Sequence, residues 1–243
     1  VLVINTKYQK YGGEDSNFVE EINFLKKFYE VDYLIYDNSK KLNLLDIIAF
    51  FTLSNFTSNK ELKLKLNSFK PDVVYIHNTW FKAGLGIFNI LKKENIDVVL
   101  KIHNFRFACT NSFSAASHFK SKDFCYRCGN TKKSLSFFNK YFKNSYAKSL
   151  VVILYGKKYI NILREHNLKI IALNKFYKEY LVKENIQESR IFINYNPFEI
   201  PDNFIYSPES EYAVYAGSLV EQKGIEELLE AWKQSKVSLK LLI

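Results

Sequence analysis

Polar residues that can bind an anion or a sugar follow four apolar runs of the sequence. The first of these loops contains Gly12 and Gly13, where a ligand can approach the backbone closely. Asp15 or Ser16 can cap the helix that follows, and the free N–H groups of a helix start favour an anion such as a diphosphate. A pair of glycines also occurs in ordinary tight turns, so that alternative stays open.

Two histidines stand at the ends of apolar runs. His77 and Asn78 follow PDVVYI, and His103 follows DVVLKI. A histidine in this position can donate a hydrogen bond to a substrate hydroxyl or steady a developing charge. We expect His77 to be structural, bonded to a neighbouring carbonyl. We expect His103 to be functional, because Arg106 and a long polar insertion begin beside it.

The last loop lies between Gly217 and Gly224, after the apolar run YAVYA. Lys223 stands there at the predicted start of a helix. It could meet a phosphate with both its ammonium group and the helix dipole. The alternative is a solvated lysine at a helix end, which is the common situation for a single lysine.

The three cysteines of the chain lie within the long insertion. Cys109, Cys125 and Cys128 form the pattern C-x15-C-x2-C, with His118 between them. Structural zinc usually has four ligands, and Cys-x2-Cys is a common half of such a site. Zinc held by these four residues is one interpretation, and free thiols in the loop are the one we favour. An odd number of cysteines fits a reducing compartment.

Alternating strands and helices are predicted to position these loops. Apolar runs predict strands at 1–5, 31–36, 71–77, 97–103, 169–174 and 190–196, with helical periodicity between them. This alternation predicts an α/β fold with a Rossmann-like, doubly wound parallel sheet and helices on both faces. Ligands of such sheets bind beyond the carboxyl ends of the strands, where the loops lie.

The chain is predicted to hold one domain and the beginning of another. Residues 1–200 form the first domain, and the proline-punctuated segment 201–211 reads as a linker. Residues 212–243 open a second α/β unit with a strand, a glycine turn, an amphipathic helix and the start of another strand. A function seated between two domains would therefore be only partly visible in this chain.

The net charge of +10 predicts a surface that attracts anions. The lysines are spread singly along the chain and no nucleic-acid-binding motif occurs, so we expect no nucleic-acid partner. No apolar stretch reaches the roughly 20 residues that span a bilayer. We therefore expect a cytoplasmic protein whose basic surface and apolar segment 42–56 suit peripheral contact with the inner membrane face.

In order along the chain, six segments resemble the landmarks of the GT4 family (glycosyltransferase group 1) of retaining glycosyltransferases. These segments are YGGED, PDVVYIHNTW, VVLKIHNFRFAC with the later CYRC, ALNKFYKEYL, INYNPFEIP and YAGSLVEQKGIEELLEAW. The resemblance covers nearly the whole chain. It implies the GT-B fold of two Rossmann-like domains around a cleft. The pair HNFRFAC and CYRC is similar to a subgroup that builds capsule, O-antigen or other surface polysaccharides.

The resemblance also implies the roles of individual residues. The first domain would bind a glycan or lipid-linked acceptor and the second a UDP- or GDP-sugar, with no cofactor required. His103 would be the catalytic residue, beside the transferred sugar. The donor-binding residues would be Gly12, Gly13, Gly217, Ser218, Lys223 and Gly224. The acceptor side would comprise Glu14, Asp15, His77, Asn78 and Arg106.

One position departs from the family pattern. Ser218 stands where family members usually have arginine, which removes one of two cationic contacts with the donor phosphates. The pair of acidic residues that holds the sugar and ribose in the family would lie beyond Ile243, so we expect the chain as printed to be inactive. The alternative function is a catalytically inactive binding or scaffold module of the same fold.

Overall fold

The computed structural model of the protein describes residues 1–8, 13–39, 48–49, 51–105, 107, 145–197, 211–217, 219, 223–235 and 237–243. The chain divides into two compact units, Val1–Phe198 and Glu199–Ile243. Several predicted site residues lie outside the described ranges: Gly12, Arg106, Cys109, His118, Cys125, Cys128 and Ser218. The predicted linker 201–211 lies outside them too, apart from Glu211.

Six strands form one parallel sheet in the first unit. They are β1 (Leu2–Lys7), β2 (Asp32–Asp37), β3 (Val73–Ile76), β4 (Asp97–Ile102), β5 (Lys169–Ala172) and β6 (Ile191–Ile193). Their order in the sheet is β2-β1-β3-β4-β5-β6, and every neighbouring pair is parallel. The predicted parallel α/β sheet is confirmed.

Helices cover both faces of this sheet. The helices of the first unit are α1 (Gly13–Leu25), α2 (Phe56–Phe69), α3 (Gly86–Lys93), α4 (Tyr146–Glu165) and α5 (Lys175–Lys183). Side chains alternate along a strand, so Val3 of β1 packs against α1 while Leu2 and Ile4 join the core shared with α2 to α5. The α1 face therefore has a smaller apolar core than the opposite face.

Side-chain caps start three of these helices. Asn55, Ser145 and Asn174 each accept a hydrogen bond from a backbone N–H three residues later, at 3.2, 3.4 and 3.0 Å. The start of α1 differs from the sequence prediction. Because α1 already begins at Gly13, Asp15 lies inside its first turn and is not the capping residue.

Strand β6 is shorter than predicted. Arg190 belongs to a 3₁₀ turn, Glu188–Arg190, and its guanidinium donates to backbone carbonyls at the end of α4, including Leu163 O at 2.8 Å. This contact draws Arg190 away from the strand. Residues 194–196, also predicted as strand, lie past the end of β6.

The second unit contains the predicted strand, helix and strand. Strands β7 (Tyr212–Val214) and β8 (Lys240–Leu242) pair in parallel, with α6 (Ile225–Gln234) between them in the chain. Gly224 precedes α6 with φ of 68°, a left-handed conformation that favours glycine. The turn before α6 therefore depends on this glycine.

Helix α4 is the longest helix in the described part of the chain, with 20 residues. Charged side chains interrupt its apolar residues, including Lys148, Lys157 and Arg164. Among the described residues, no helix combines the length and the apolar composition that a membrane crossing requires.

Candidate functional site

The strand order creates a crevice at the carboxyl edge of the sheet. The chain leaves β1 toward β2 on one side, and β3 lies on the other side of β1. Connections that diverge in this way form a topological switch point, where doubly wound sheets bind their ligands. His77 follows β3 and His103 follows the adjacent β4, so both predicted histidines lie beside this crevice.

The two histidines are in direct contact. His77 Nδ1 lies 3.1 Å from His103 Nε2, and the two rings are nearly parallel, with an interplanar angle of 18°. His77 is buried and His103 is half-buried. The sequence prediction that His77 bonds a carbonyl was wrong about its partners, because its ring contacts His103 and the carboxylate of Glu21.

A buried ion pair lies beneath the histidines. Lys101, with no exposed surface, donates to the carboxylate of Glu21 and to Asn17 Oδ1, the latter at 3.2 Å. The hydroxyl of Tyr75 donates to Glu21 Oε2 at 2.6 Å. His77 Nε2 lies 3.2 Å from the same oxygen, although the ring N–H is not aligned for a hydrogen bond. Glu21 therefore connects α1 with β3 and β4.

Simple periodicities bring these residues together. Lys101 and Tyr75 each lie two positions before a histidine on a strand, and residues two apart face the same side of a sheet. Asn17 and Glu21 are four apart on α1 and so share a helix face. This face packs on the side of the sheet that carries Lys101 and the histidines.

Sequence analysis overlooked this buried cluster, although one signal was present. Lys101 interrupts the apolar run DVVLKI, which was predicted to be a strand of a parallel sheet. Such strands are buried on both faces, and lysine is almost never fully buried without a partner. The pattern therefore indicated a buried partner for Lys101, but it did not identify Glu21 among the 25 acidic residues of the chain.

The surroundings keep both histidine rings neutral. Burial lowers the pKa of His77 well below its ordinary value, and the nearby His103 and Lys101 lower it further. Burial and the ammonium of Lys101 lower the pKa of His103 to about 3. Near neutral pH each ring therefore carries one proton and can both donate and accept a hydrogen bond.

The start of α1 contacts the loop after β4. Asn104 Nδ2 donates to Glu14 Oε1 and to the Tyr8 hydroxyl, both at 3.1 Å. Glu14, predicted on the acceptor side, thus lies beside the neighbour of His103. Asp15, the next residue, is buried. The carboxylate of Glu14 gives this part of the crevice an acceptor for hydroxyl groups.

Asn78, which was predicted on the acceptor side, hydrogen-bonds to the backbone. Its amide donates to Thr6 O at 2.8 Å, and its Oδ1 accepts from the backbone N–H of Trp80 at 3.0 Å. The two ends of the amide therefore connect β1 with the loop after β3. Asn78 shapes the crevice through these backbone contacts.

A small cavity opens beside the histidines. Its volume is about 30 Å³, enough for roughly two water-sized groups. It is lined by His77, Asn78, Thr79, Trp80, Lys101, Ile102, His103, Asn104, Phe107, Tyr155 and Tyr159. Tyr177 donates to His103 O at 3.1 Å and so fixes the backbone at this point. The cavity admits a hydroxyl group or a water molecule, but not a whole sugar ring.

Apart from Gly13 of the first unit, the predicted donor-side residues that the structure describes lie in the second unit. Gly217 follows β7, and Lys223 and Gly224 directly precede α6, where Lys223 is exposed. Glu226 and Glu227 lie in the first turn of the same helix. Their negative charge stabilises the helix start and reduces its attraction for an anion. Within this unit, Lys223 is therefore an exposed cation beside two carboxylates.

A metal centre finds no support in the residues that the structure describes. None of their His, Cys, Asp and Glu side chains form a group of three or more that could hold a metal ion. The predicted zinc ligands lie outside the described ranges, so the zinc interpretation stays a prediction.

The crevice is suited to a ligand rich in hydroxyl groups. Neutral imidazole, amide and carboxylate side chains meet there, and aromatic rings line the adjoining cavity. Such groups orient sugars through directional hydrogen bonds and apolar contact.

Comparison with known proteins found no matching family model, no matching curated protein and no matching solved structure.

Proposed function

We propose that the protein is a retaining glycosyltransferase of the GT4 type, which transfers a sugar from a UDP- or GDP-sugar to a glycan or lipid-linked acceptor in surface polysaccharide biosynthesis. The observation that carries this proposal is the meeting of His77 and His103 at the carboxyl edge of a parallel sheet, beside its switch point. Three of the motifs that resemble the family, PDVVYIHNTW, VVLKIHNFRFAC and ALNKFYKEYL, include the carboxyl ends of β3, β4 and β5.

The start of α1 supports a role in binding the donor phosphates. Gly13 is the first residue of the helix, and a methyl group added there would meet no atom within 4 Å. A diphosphate at a helix start needs such open space, and the backbone N–H groups would have to attract it against the carboxylates of Glu14 and Asp15 in the same turn. In the proposal Gly12 and Ser218 take part as well, on the strength of the family resemblance alone.

The departing nucleoside diphosphate requires positive charge. In the proposal, the ammonium of Lys223 and backbone N–H groups would supply it, so that no metal is required. His103 would lie beside the transferred sugar and contact one of its hydroxyl groups. The front-face attack that retains the anomeric configuration belongs to the family resemblance.

An assay of nucleoside diphosphate release tests this function. Full-length protein is incubated with a panel of UDP- and GDP-sugars and candidate acceptors, and the release rate is compared with that of His103→Ala. We expect one donor to be turned over and the variant to lose at least about tenfold, which corresponds to one hydrogen bond of 1.4 kcal/mol in the transition state. His166→Ala is the matched control, because His166 lies at the far end of α4.

A binding or scaffold module is the second candidate, favoured by Ser218 in place of the usual arginine. It predicts that the full-length protein binds a nucleotide-sugar without turnover. Equal release rates in the wild type and in His103→Ala would remove His103 from the site.

A further inference from the structure

We propose that the buried carboxylate of Glu21 fixes the tautomers of both histidines, so that His103 presents an unprotonated Nδ1 to the crevice and accepts a hydrogen bond there. Glu21 is then a positioning residue that acts through His77. The tautomers follow from the geometry together with the neutral state of both rings, while the identification of the donor as a sugar hydroxyl rests on the proposed function.

The first step concerns the two oxygens of Glu21. Oε1 receives the ammonium of Lys101, and Oε2 receives the hydroxyl of Tyr75 at 2.6 Å. Burial, with the nearby carboxylate, raises the pKa of Tyr75, so its hydroxyl keeps its proton and donates. The carboxylate is therefore only an acceptor toward its surroundings.

The second step concerns the ring of His77. Its Nε2 lies 3.2 Å from Glu21 Oε2, in a buried space. An unprotonated Nε2 would leave two electron-rich atoms 3.2 Å apart without a proton near them, and the low local dielectric would make that repulsion costly. A protonated Nε2 is attracted to the same oxygen, even without ideal alignment. The rings of Phe18 and Tyr75 pack on His77 and hold its ring in this position.

The third step concerns the position of the proton on His103. His77 is neutral, so protonation at Nε2 leaves its Nδ1 with a lone pair. His103 Nε2, 3.1 Å away, must then donate to that lone pair. Since His103 is also neutral, its own Nδ1 is unprotonated. This Nδ1 has no hydrogen-bond partner among the described residues.

The consequence is a restriction on the ligand. An unprotonated Nδ1 accepts a hydrogen bond from a hydroxyl group, and it repels a phosphate or carboxylate oxygen. This role is the opposite of the donor role that the sequence suggested for the histidine. His103 would thus select the hydroxyl-bearing part of a nucleotide-sugar and leave its diphosphate to other groups.

Nitrogen NMR of the histidine rings tests the inference directly. Long-range ¹H–¹⁵N correlations distinguish protonated from unprotonated ring nitrogens, and the chain has only 4 histidines to assign. At neutral pH we expect both His77 and His103 to carry their proton on Nε2. A proton on Nδ1 of His103 would overturn the proposal.

Substitution of Glu21→Gln tests the cause. The amide oxygen of the new side chain would face Lys101, and its NH₂ group would face His77 Nε2. Both rings should then shift their proton to Nδ1. Unchanged tautomers in a folded Glu21→Gln variant would show that Glu21 does not set them.

The variant Tyr75→Phe keeps the inference testable if Glu21→Gln does not fold. It removes the hydroxyl from Glu21 Oε2 and leaves His77 Nε2–H as the remaining donor to that oxygen. We expect unchanged tautomers and a downfield shift of the Nε2 proton of His77. An unmoved proton resonance would contradict the contact on which the proposal depends.

These readouts separate the inference from the proposed function. If both histidines carry the predicted proton but the full-length protein turns over no nucleotide-sugar, the tautomer inference holds and the proposed transferase function fails. If the protein turns over a nucleotide-sugar but the histidines have the opposite tautomers, the transferase function holds and the tautomer inference fails.

Discussion

At the scale of the residue, Lys101 is the unusual feature of this protein. A lysine with no exposed surface lies in a central strand, and its ammonium is stabilised by Glu21 and Asn17. Burying a charge costs several kcal/mol unless a partner of opposite charge compensates it. The ion pair therefore adds little to the free energy of unfolding, but removing only one of its partners strongly destabilises the folded protein.

Replacing Lys101→Met should destabilise the protein by about 3–5 kcal/mol, because the carboxylate of Glu21 loses its cation inside the protein. Urea denaturation measures the loss. The matched control is Lys65→Met, because the ion pair of Lys65 with Asp32 at 2.8 Å is partly exposed to solvent. That control should lose less than about 1 kcal/mol. Equal losses in the two variants would contradict the buried pairing.

Acid should destabilise the folded protein through His77 and His103. Both pKa values are lower in the folded than in the unfolded chain, for His103 about 3 against 6.5, so the unfolded state binds more protons below about pH 6.5. The histidines thus contribute stability that is present above pH 6.5 and is lost as the pH falls toward 3. Denaturation measured at several pH values in this range should show that the free energy of unfolding falls more steeply with falling pH in the wild type than in His103→Asn. Parallel pH dependences would count against neutral, partly buried rings.

At the scale of the element, the sequence predicts the type of nearly every described strand and helix. Apolar runs predict the strands β1 to β5, because these strands are buried on both faces of the sheet. Helical periodicity predicts α1 to α5, because each of these helices has one buried stripe. The ends are less predictable. Arg190 resembles the start of a strand in sequence, but its contacts with the end of α4 place it in a 3₁₀ turn.

The candidate site is predictable only in part. Parallel strands end at the same edge of a sheet, so the sequence alone places His77 and His103, which follow two such strands, at one edge. The contact with Glu21 depends on how α1 rotates over the sheet, which the sequence pattern does not specify. The contacts of Asn78 with the backbone were not predicted either, because Thr6 lies in β1, far from Asn78 in the sequence.

A pair of glycine substitutions separates packing from ligand binding. An added methyl group at Gly86 would come within 2.1 Å of Ser54 Oγ, where α2 and α3 pack, whereas Gly13 has open space. We expect Gly86→Ala to lower the free energy of unfolding by about 1–3 kcal/mol. Gly13→Ala should leave it unchanged and weaken binding of a nucleoside diphosphate. Calorimetric unfolding and titration with UDP and GDP measure the two effects.

Undiminished nucleotide affinity in Gly13→Ala would argue against a phosphate at the start of α1. A large stability loss in the same variant would show that the space above Gly13 is occupied by the protein itself.

At the scale of the whole molecule, the order of the strands decides where the site lies. The sequence predicts parallel strands, but the order of the strands follows from tertiary packing, and the order β2-β1-β3 places the switch point between β1 and β3. The net charge of +10 adds a long-range attraction for anions. Exposed apolar side chains, among them Phe51 and Phe56, accompany that charge.

We expect the protein to sediment with anionic liposomes at low ionic strength and to be released at about 1 M salt, where charges are screened within roughly 3 Å. Liposomes of neutral lipid are the control and should bind much less protein. The proposal of contact with the inner membrane face fails if anionic and neutral liposomes retain equal amounts.

We propose that the crevice at the carboxyl edge of the sheet holds a nucleotide-sugar. A crystal structure of the full-length protein with a bound UDP- or GDP-sugar tests this proposal. We expect the diphosphate within hydrogen-bond distance of the backbone at the start of α1, and a sugar hydroxyl donating to His103 Nδ1. A nucleotide bound at another surface, with the space beside His103 and Gly13 free of ligand, would contradict it.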